Sequence, residues 1–96
     1  MKFIYVLSNP HFDVQGEEVV YKIGWTSNLD GNYCSASSTV VYMFEHERAG
    51  EILDLVMESE VAVFRRGHNR RMLTCPLELI EKSVRRIANS ERFEDC

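Results

Sequence analysis

The stretch F-R-R-G-H-N-R-R, residues 64–71, sets four arginines within seven residues of a chain whose formal net charge is -4. Guanidinium groups bind phosphate oxygens through paired N–H donors. Arg65, Arg66, Arg70 and Arg71, around a turn favoured by Gly67 and Asn69, could therefore straddle a nucleic-acid backbone with a salt-dependent affinity. The plainer alternative is a solvated hairpin whose arginines pair with the abundant acids. A second suggestive pattern stands at the amino end. Two apolar runs, F-I-Y-V-L and V-V-Y-K-I-G-W, each carry a tyrosine, Tyr5 and Tyr21, and the second adds Lys22 and Gly24. A phenol, with a pKa of about 10, moves a proton at neutral pH only with help from a metal-bound hydroxide or a nearby cation. As ordinary strand residues, the same tyrosines would fill a core or its rim. His11, His46 and His68 have no partner at metal-ligand spacing and read as solvent-exposed.

The elements that would position these groups follow from apolar spacing. Residues 2–7 are almost continuously apolar, which predicts a strand buried on both faces. Asn9, Pro10, Asp13 and Gly16 mark residues 8–17 as a loop leading to a second strand, 19–25, paired with the first as a hairpin. Strand alternation puts Val19, Tyr21 and Ile23 on one face and Val20, Lys22 and Gly24 on the other, so Tyr21 and Lys22 point oppositely. Residues 26–38 open with helix-capping candidates, Thr26 and Ser27, but Gly31 and the serines that follow allow only a short helix. The β-branched and aromatic run 39–44 predicts a third strand. Ala49, Ile52, Leu53, Val56 and Met57 recur at helical spacing and predict a helix over 47–59. A short apolar stretch at 61–64 precedes the arginine turn. Pro76 suits a first helical position, and Leu77, Ile80, Val84 and Ile87 line a helix reaching Asn89, beyond which the tail frays. The order predicts one α+β domain over 1–96, a small, mainly antiparallel sheet flanked by helices.

Composition sets bounds on this reading. A hydrophobic share of 45% with 27% charged residues is that of a chain that folds. No apolar run approaches the roughly 20 residues that span a bilayer, and the start lacks the features of a signal peptide, so a soluble, intracellular protein with no membrane partner is expected. Cys34, Cys75 and Cys96, odd in number and widely spaced, read as free thiols. The net negative charge gives no global pull toward nucleic acid, so any such binding needs a local basic patch.

F-I-Y at 3–5, followed by Y-K-I-G at 21–24, resembles the paired strand motif of the GIY-YIG endonuclease superfamily. The wider wording, I-Y-V-L-S-N-P, then Y-K-I-G-W-T-S-N-L, a third strand and A-G-E-I-L on a helix, is similar to the small phage T5-type branch over about residues 3–57, and more weakly to Ile87. The resemblance implies a three-stranded antiparallel sheet with flanking helices. It also implies hydrolysis of DNA phosphodiesters with Mg2+ or Mn2+. Tyr5 matches the first-motif tyrosine, which helps position or deprotonate the attacking water. Lys22 falls on the tyrosine position of the second motif, with Tyr21 just before it. Glu51 matches the metal-ligand glutamate, and one carboxylate suffices because magnesium often takes only one or two. A helix glutamate on the polar flank beside Ile52 is the plainer reading of Glu51.

The chain departs from the family pattern where an arginine stabilises the transferring phosphate, eight or nine residues after the motif glycine. Asn32 and Tyr33 stand there, and no Arg or Lys lies between Lys22 and Arg48. Losing such a donor costs on the order of 100-fold or more in rate. Substitutes are Arg48 and the cluster at Arg65, Arg66, Arg70 and Arg71, among which the sequence does not choose. R-R-M-L at 70–73 also differs from the R-E-W-F-like segment of related proteins, with Arg71 replacing an acid. The leading expectation is a stand-alone nuclease domain acting on DNA or another nucleic acid, its activity weakened or lost. The alternatives are a catalytically silent scaffold that binds nucleic acid or a protein partner, and an inhibitor or decoy that engages a nuclease.

Overall fold

A computed structural model describes residues 1–9, 20–28, 38–66 and 69–90. Strand β1, Phe3–Ser8, lies between β2, Tyr21–Thr26, and β3, Thr39–Glu45, antiparallel to both. Its unbroken apolar character has a direct cause in burial. Ile4 and Val6 join the core beneath the helices, while Tyr5 and Leu7 are buried on the opposite face, outside that cluster. The β1–β2 register sets Tyr5 opposite Gly24, Val6 opposite Ile23 and Leu7 opposite Lys22. Against β3 the register shifts between Val6 and Leu7.

The sheet has five strands where the sequence pattern gave three. Strands β4, Arg65–Arg66, and β5, Asn69–Leu73, form a hairpin that adds to the outer side of β2, in the order β3-β1-β2-β5-β4. The segment read as a turn thus supplies two paired strands, while residues 67–68 lie outside the described residues. Its strands lack apolar alternation and obtain their register from β2, through Tyr21 with Leu73 and Lys22 with Met72. The Thr74 N–H and hydroxyl both donate to the Phe64 carbonyl, at 3.1 and 3.3 Å, and close the hairpin base.

Helix α1, Ala49–Met57, buries every apolar residue expected of it: Ala49, Ile52, Leu53, Val56 and Met57. Its start is fixed by His46, whose Nδ1 accepts the Arg48 N–H at 3.0 Å and whose carbonyl accepts the Ala49 N–H at 3.1 Å. These bonds satisfy donors left over at a helix N-terminus, so the helix begins later than the apolar spacing suggested. His46 also stacks on Phe44, with ring centroids 6.4 Å apart. Helix α2, Leu77–Ala88, buries Ile80, Val84, Ile87 and Ala88. Pro76 stands just before it and accepts the Leu79 N–H at 3.1 Å. Between hairpin and α1 the apolar stretch forms a 3-10 helix, Glu60–Phe64, that contributes Val61 to the core.

Both helices pack on the same face of the sheet, over Ile4, Val6, Ile23 and Leu73. Fully burying an Ile or Leu side chain contributes about 1.5–3 kcal/mol, so this single α+β core holds the site in place. Thr26 ends β2, and its hydroxyl accepts the Asn28 N–H and donates to the Asn28 carbonyl, each at 3.1 Å. The rest of the short helix expected over 26–38 falls mostly on residues 29–37, and the fraying tail on 91–96, all outside the described residues. Cys75 is a buried free thiol whose burial pushes its pKa up; Cys34 and Cys96 lie outside the described residues. Among the described residues no helix is long and apolar enough to cross a membrane.

Candidate functional site

Strand β2 is paired on its outer side only at Tyr21 and Lys22, so among the described residues its second half, from Ile23 to Thr26, has an open edge. Two groups singled out in the sequence meet that half from opposite faces. Tyr5 shares a face with its partner Gly24, and a Cβ at Gly24 would stand 2.6 Å from Tyr5 Cζ and closer still to the hydroxyl. The missing side chain lets the phenol lie across β2 and bring its oxygen over Gly24. This is the close approach that a strand glycine marks.

The next residue, Trp25, points to the helix face by alternation. There Gly50, in the first turn of α1, comes against the indole, and a Cβ at Gly50 would lie 3.2 Å from Trp25 Cε2 and Nε1. Glu51 follows Gly50 in the chain. Tyr5 and Gly50 thus meet consecutive residues of β2, one from each side, and Glu51 lines the cleft beside Trp25.

On the helix face a cleft of about 440 Å3 opens beside Trp25, with Lys2, Arg48, Gly50, Glu51 and Arg71 in its walls. The Lys2 ammonium sits 5.7 Å from the centre of the indole ring, a cation–π contact at a residue that is 40% exposed. Glu47 and Asp54 line the same cleft, so three acids face three bases and the formal charge balances. Arg48 holds Glu51 firmly: its Nε donates to Glu51 Oε2 at 3.0 Å and its Nη2 bonds to the same oxygen.

Lys22 is half-buried on the Tyr5 face, opposite Leu7 and Met72. Tyr21 lies on the other face, packed against the core, which gives it a structural part rather than a place beside Tyr5. Tyr5 and Lys22 therefore share the face away from the helices, with Lys22 three register steps along β2 from Glu51's neighbour Trp25, while Glu51 stands in the cleft on the helix face and Tyr21 packs on the core. The arginine cluster also divides. Arg65 donates to the Ala62 carbonyl at 3.3 Å and pairs with Glu58 at 3.8 Å, at the far end of α1. Arg71 instead lines the cleft with Glu51. Arg66 and Arg70 take part in the hairpin through their backbone, and their side chains lie outside the described part. Asn32, Tyr33, His11 and His68 are likewise outside the described residues.

Trp25, Lys2 and Gly50 were not picked out from the sequence. A signal for Trp25 was present, since alternation from Ile23 carries it to the helix face at the strand end, where the core runs out. Its neighbours in the cleft come from distant parts of the chain and leave no local pattern.

Among the described residues no group of three or more His, Cys, Asp or Glu could hold a metal ion. Magnesium nevertheless keeps several waters and takes one or two carboxylates. Glu51, with a side chain 55% exposed, offers one such carboxylate at the cleft wall. The donor set fits a hydrated ion held through Glu51, in competition with Arg48, and does not fit a dehydrated cage. No protein-family model matches the chain, and neither a curated protein nor a solved structure matches it.

Proposed function

We propose that this chain is a GIY-YIG-type nuclease domain acting inside the cell on DNA or another nucleic acid, at the open edge of β2. The observation that supports the reading is the placement of Tyr5 over Gly24 on one face of the sheet and of Glu51 in the cleft beside Trp25 on the other. Among the described residues the second half of the β2 edge has no ladder partner, which would leave room for a phosphodiester. Glu51 would hold Mg2+ or Mn2+, which supplies Lewis-acid neutralisation of the phosphate and an activated water. The Tyr5 hydroxyl, placed over Gly24, would orient a water at the strand edge, and only as a phenolate would it accept that water's proton. Lys22, on the same face, adds positive charge near the strand. Arg48 fixes the Glu51 carboxylate, and by doing so also limits its freedom to bind a cation.

That last contact favours a second reading, a catalytically silent scaffold that binds nucleic acid or a protein partner, in which Arg48 and Glu51 are a surface ion pair. A cleavage assay on plasmid and branched DNA, with magnesium or manganese, separates the two. The nuclease reading expects turnover by the wild-type chain that Glu51→Ala removes. Turnover by neither chain establishes the silent reading, and equal turnover by both takes Glu51 out of the mechanism.

A further inference from the structure

We infer that Arg71 is the phosphate-binding guanidinium of the cleft, reaching it from the hairpin rather than from the segment where the family carries its arginine. Three observations converge on this residue. First, the pairing of β5 with β2 stops at Met72, so Arg71 is the first residue beyond the shared ladder and stands beside the open half of β2. Second, it shares strand parity with Leu73, which is fully buried in the core, so its side chain lies on the helix face. Third, it is half-buried and lines the same cleft as Glu51, Gly50 and Trp25.

Arg48 binds the Glu51 carboxylate through two nitrogens, which makes it a positioning residue for Glu51. Arg65 is tied to Ala62 and Glu58 at the opposite end of α1. Arg71 lies on the sheet side of the cleft and Glu51 on the helix side, so a phosphate entering the cleft would meet both. A guanidinium fork matches two phosphate oxygens at once, which a lysine does not do.

The inference rests on the reading that this cleft receives nucleic acid, and binding and cleavage test the two separately. Binding of a fluorescent DNA duplex is followed by anisotropy across a salt series with Ca2+ present, and cleavage is followed with Mn2+. The chains compared are wild type, Arg71→Gln, Arg71→Lys and Arg65→Ala, each checked by thermal melting so that misfolding is not scored as lost binding. Arg71→Gln is expected to flatten the plot of log affinity against log salt by about one and to slow cleavage on the order of 100-fold. Arg71→Lys should restore the slope but not the rate, and Arg65→Ala should change neither. If the wild type binds with an Arg71-dependent slope but cleaves nothing, the nuclease reading falls while Arg71 stands as a phosphate ligand. An Arg71→Gln chain that keeps the wild-type slope, or a wild type that binds no DNA, overturns the inference.

Discussion

The ring of Tyr5 occupies the space in which a side chain at residue 24 would begin, so the phenol and Gly24 are one packing unit. Neither residue works without the other. Gly24→Ala forces the ring to move, and overpacking of this kind destabilises by about 1–3 kcal/mol. Tyr5→Ala leaves a gap that the new methyl group partly fills, so the double variant should be more stable than the sum of the single losses predicts. Urea midpoints of the four chains measure this coupling, and strict additivity would show that the ring does not lie over Gly24.

Arg48 and Glu51 make a partly exposed pair on α1, with side chains 32% and 55% exposed. Pairs this open contribute at most about 1 kcal/mol, so Arg48→Gln should leave the melting behaviour close to wild type. The same change releases a carboxylate oxygen and should tighten Mn2+ binding, as read by calorimetry. Weaker Mn2+ binding by Arg48→Gln would mean that Glu51 needs the guanidinium to hold a cation at all.

Much of this arrangement was legible in the residues. The continuous apolar run of β1 reported a strand buried on both faces, and the three- and four-residue spacing of Ile52, Leu53 and Val56 reported the buried stripe of α1. The hairpin was hidden because N-R-R-M-L has no period-two apolar pattern, and its strand state is imposed by the neighbouring edge of β2. The 3-10 helix at Glu60–Phe64 was hidden for a related reason, since a run as short as V-A-V-F does not distinguish strand from helix. Tyr5, Lys22 and Glu51 were singled out only through the motif resemblance. Trp25 and Lys2 were not, because their meeting with Arg71 depends on which strand β5 joins.

Glu60 predicts a pH dependence of folding. A hydrogen bond from its own backbone, the Ser83 hydroxyl at 2.9 Å and the Arg86 guanidinium at 2.6 Å hold its carboxyl below the ordinary glutamate value of 4.5. The folded pKa lies below the unfolded one, so this stabilisation is fully present above about pH 4.5 and is lost as pH falls through the folded value. Urea midpoints measured down a pH series should therefore drop less steeply below that point for Glu60→Gln than for wild type. Identical acid limbs would remove Glu60 from the account.

His46 holds the first turn of α1 through a bond that needs Nδ1 as an acceptor. His46→Ala removes that acceptor and leaves the Arg48 N–H without it, which should destabilise by roughly 0.5–2 kcal/mol, the range for a lost helix cap. A His46→Ala chain as stable as wild type would show that the backbone carbonyl alone fixes the start of the helix.

The central claim is that Tyr5 and Glu51 act on one phosphodiester from the two faces of β2, and a double-mutant cycle on the cleavage rate tests it most directly. Tyr5→Phe and Glu51→Gln should each slow Mn2+-dependent cleavage on the order of 100-fold or more. Residues that serve one chemical step are not additive, so the double variant should be no slower than the slower single one. Losses that multiply, single variants that keep the wild-type rate, or a wild type that cleaves no nucleic acid would each contradict a shared site.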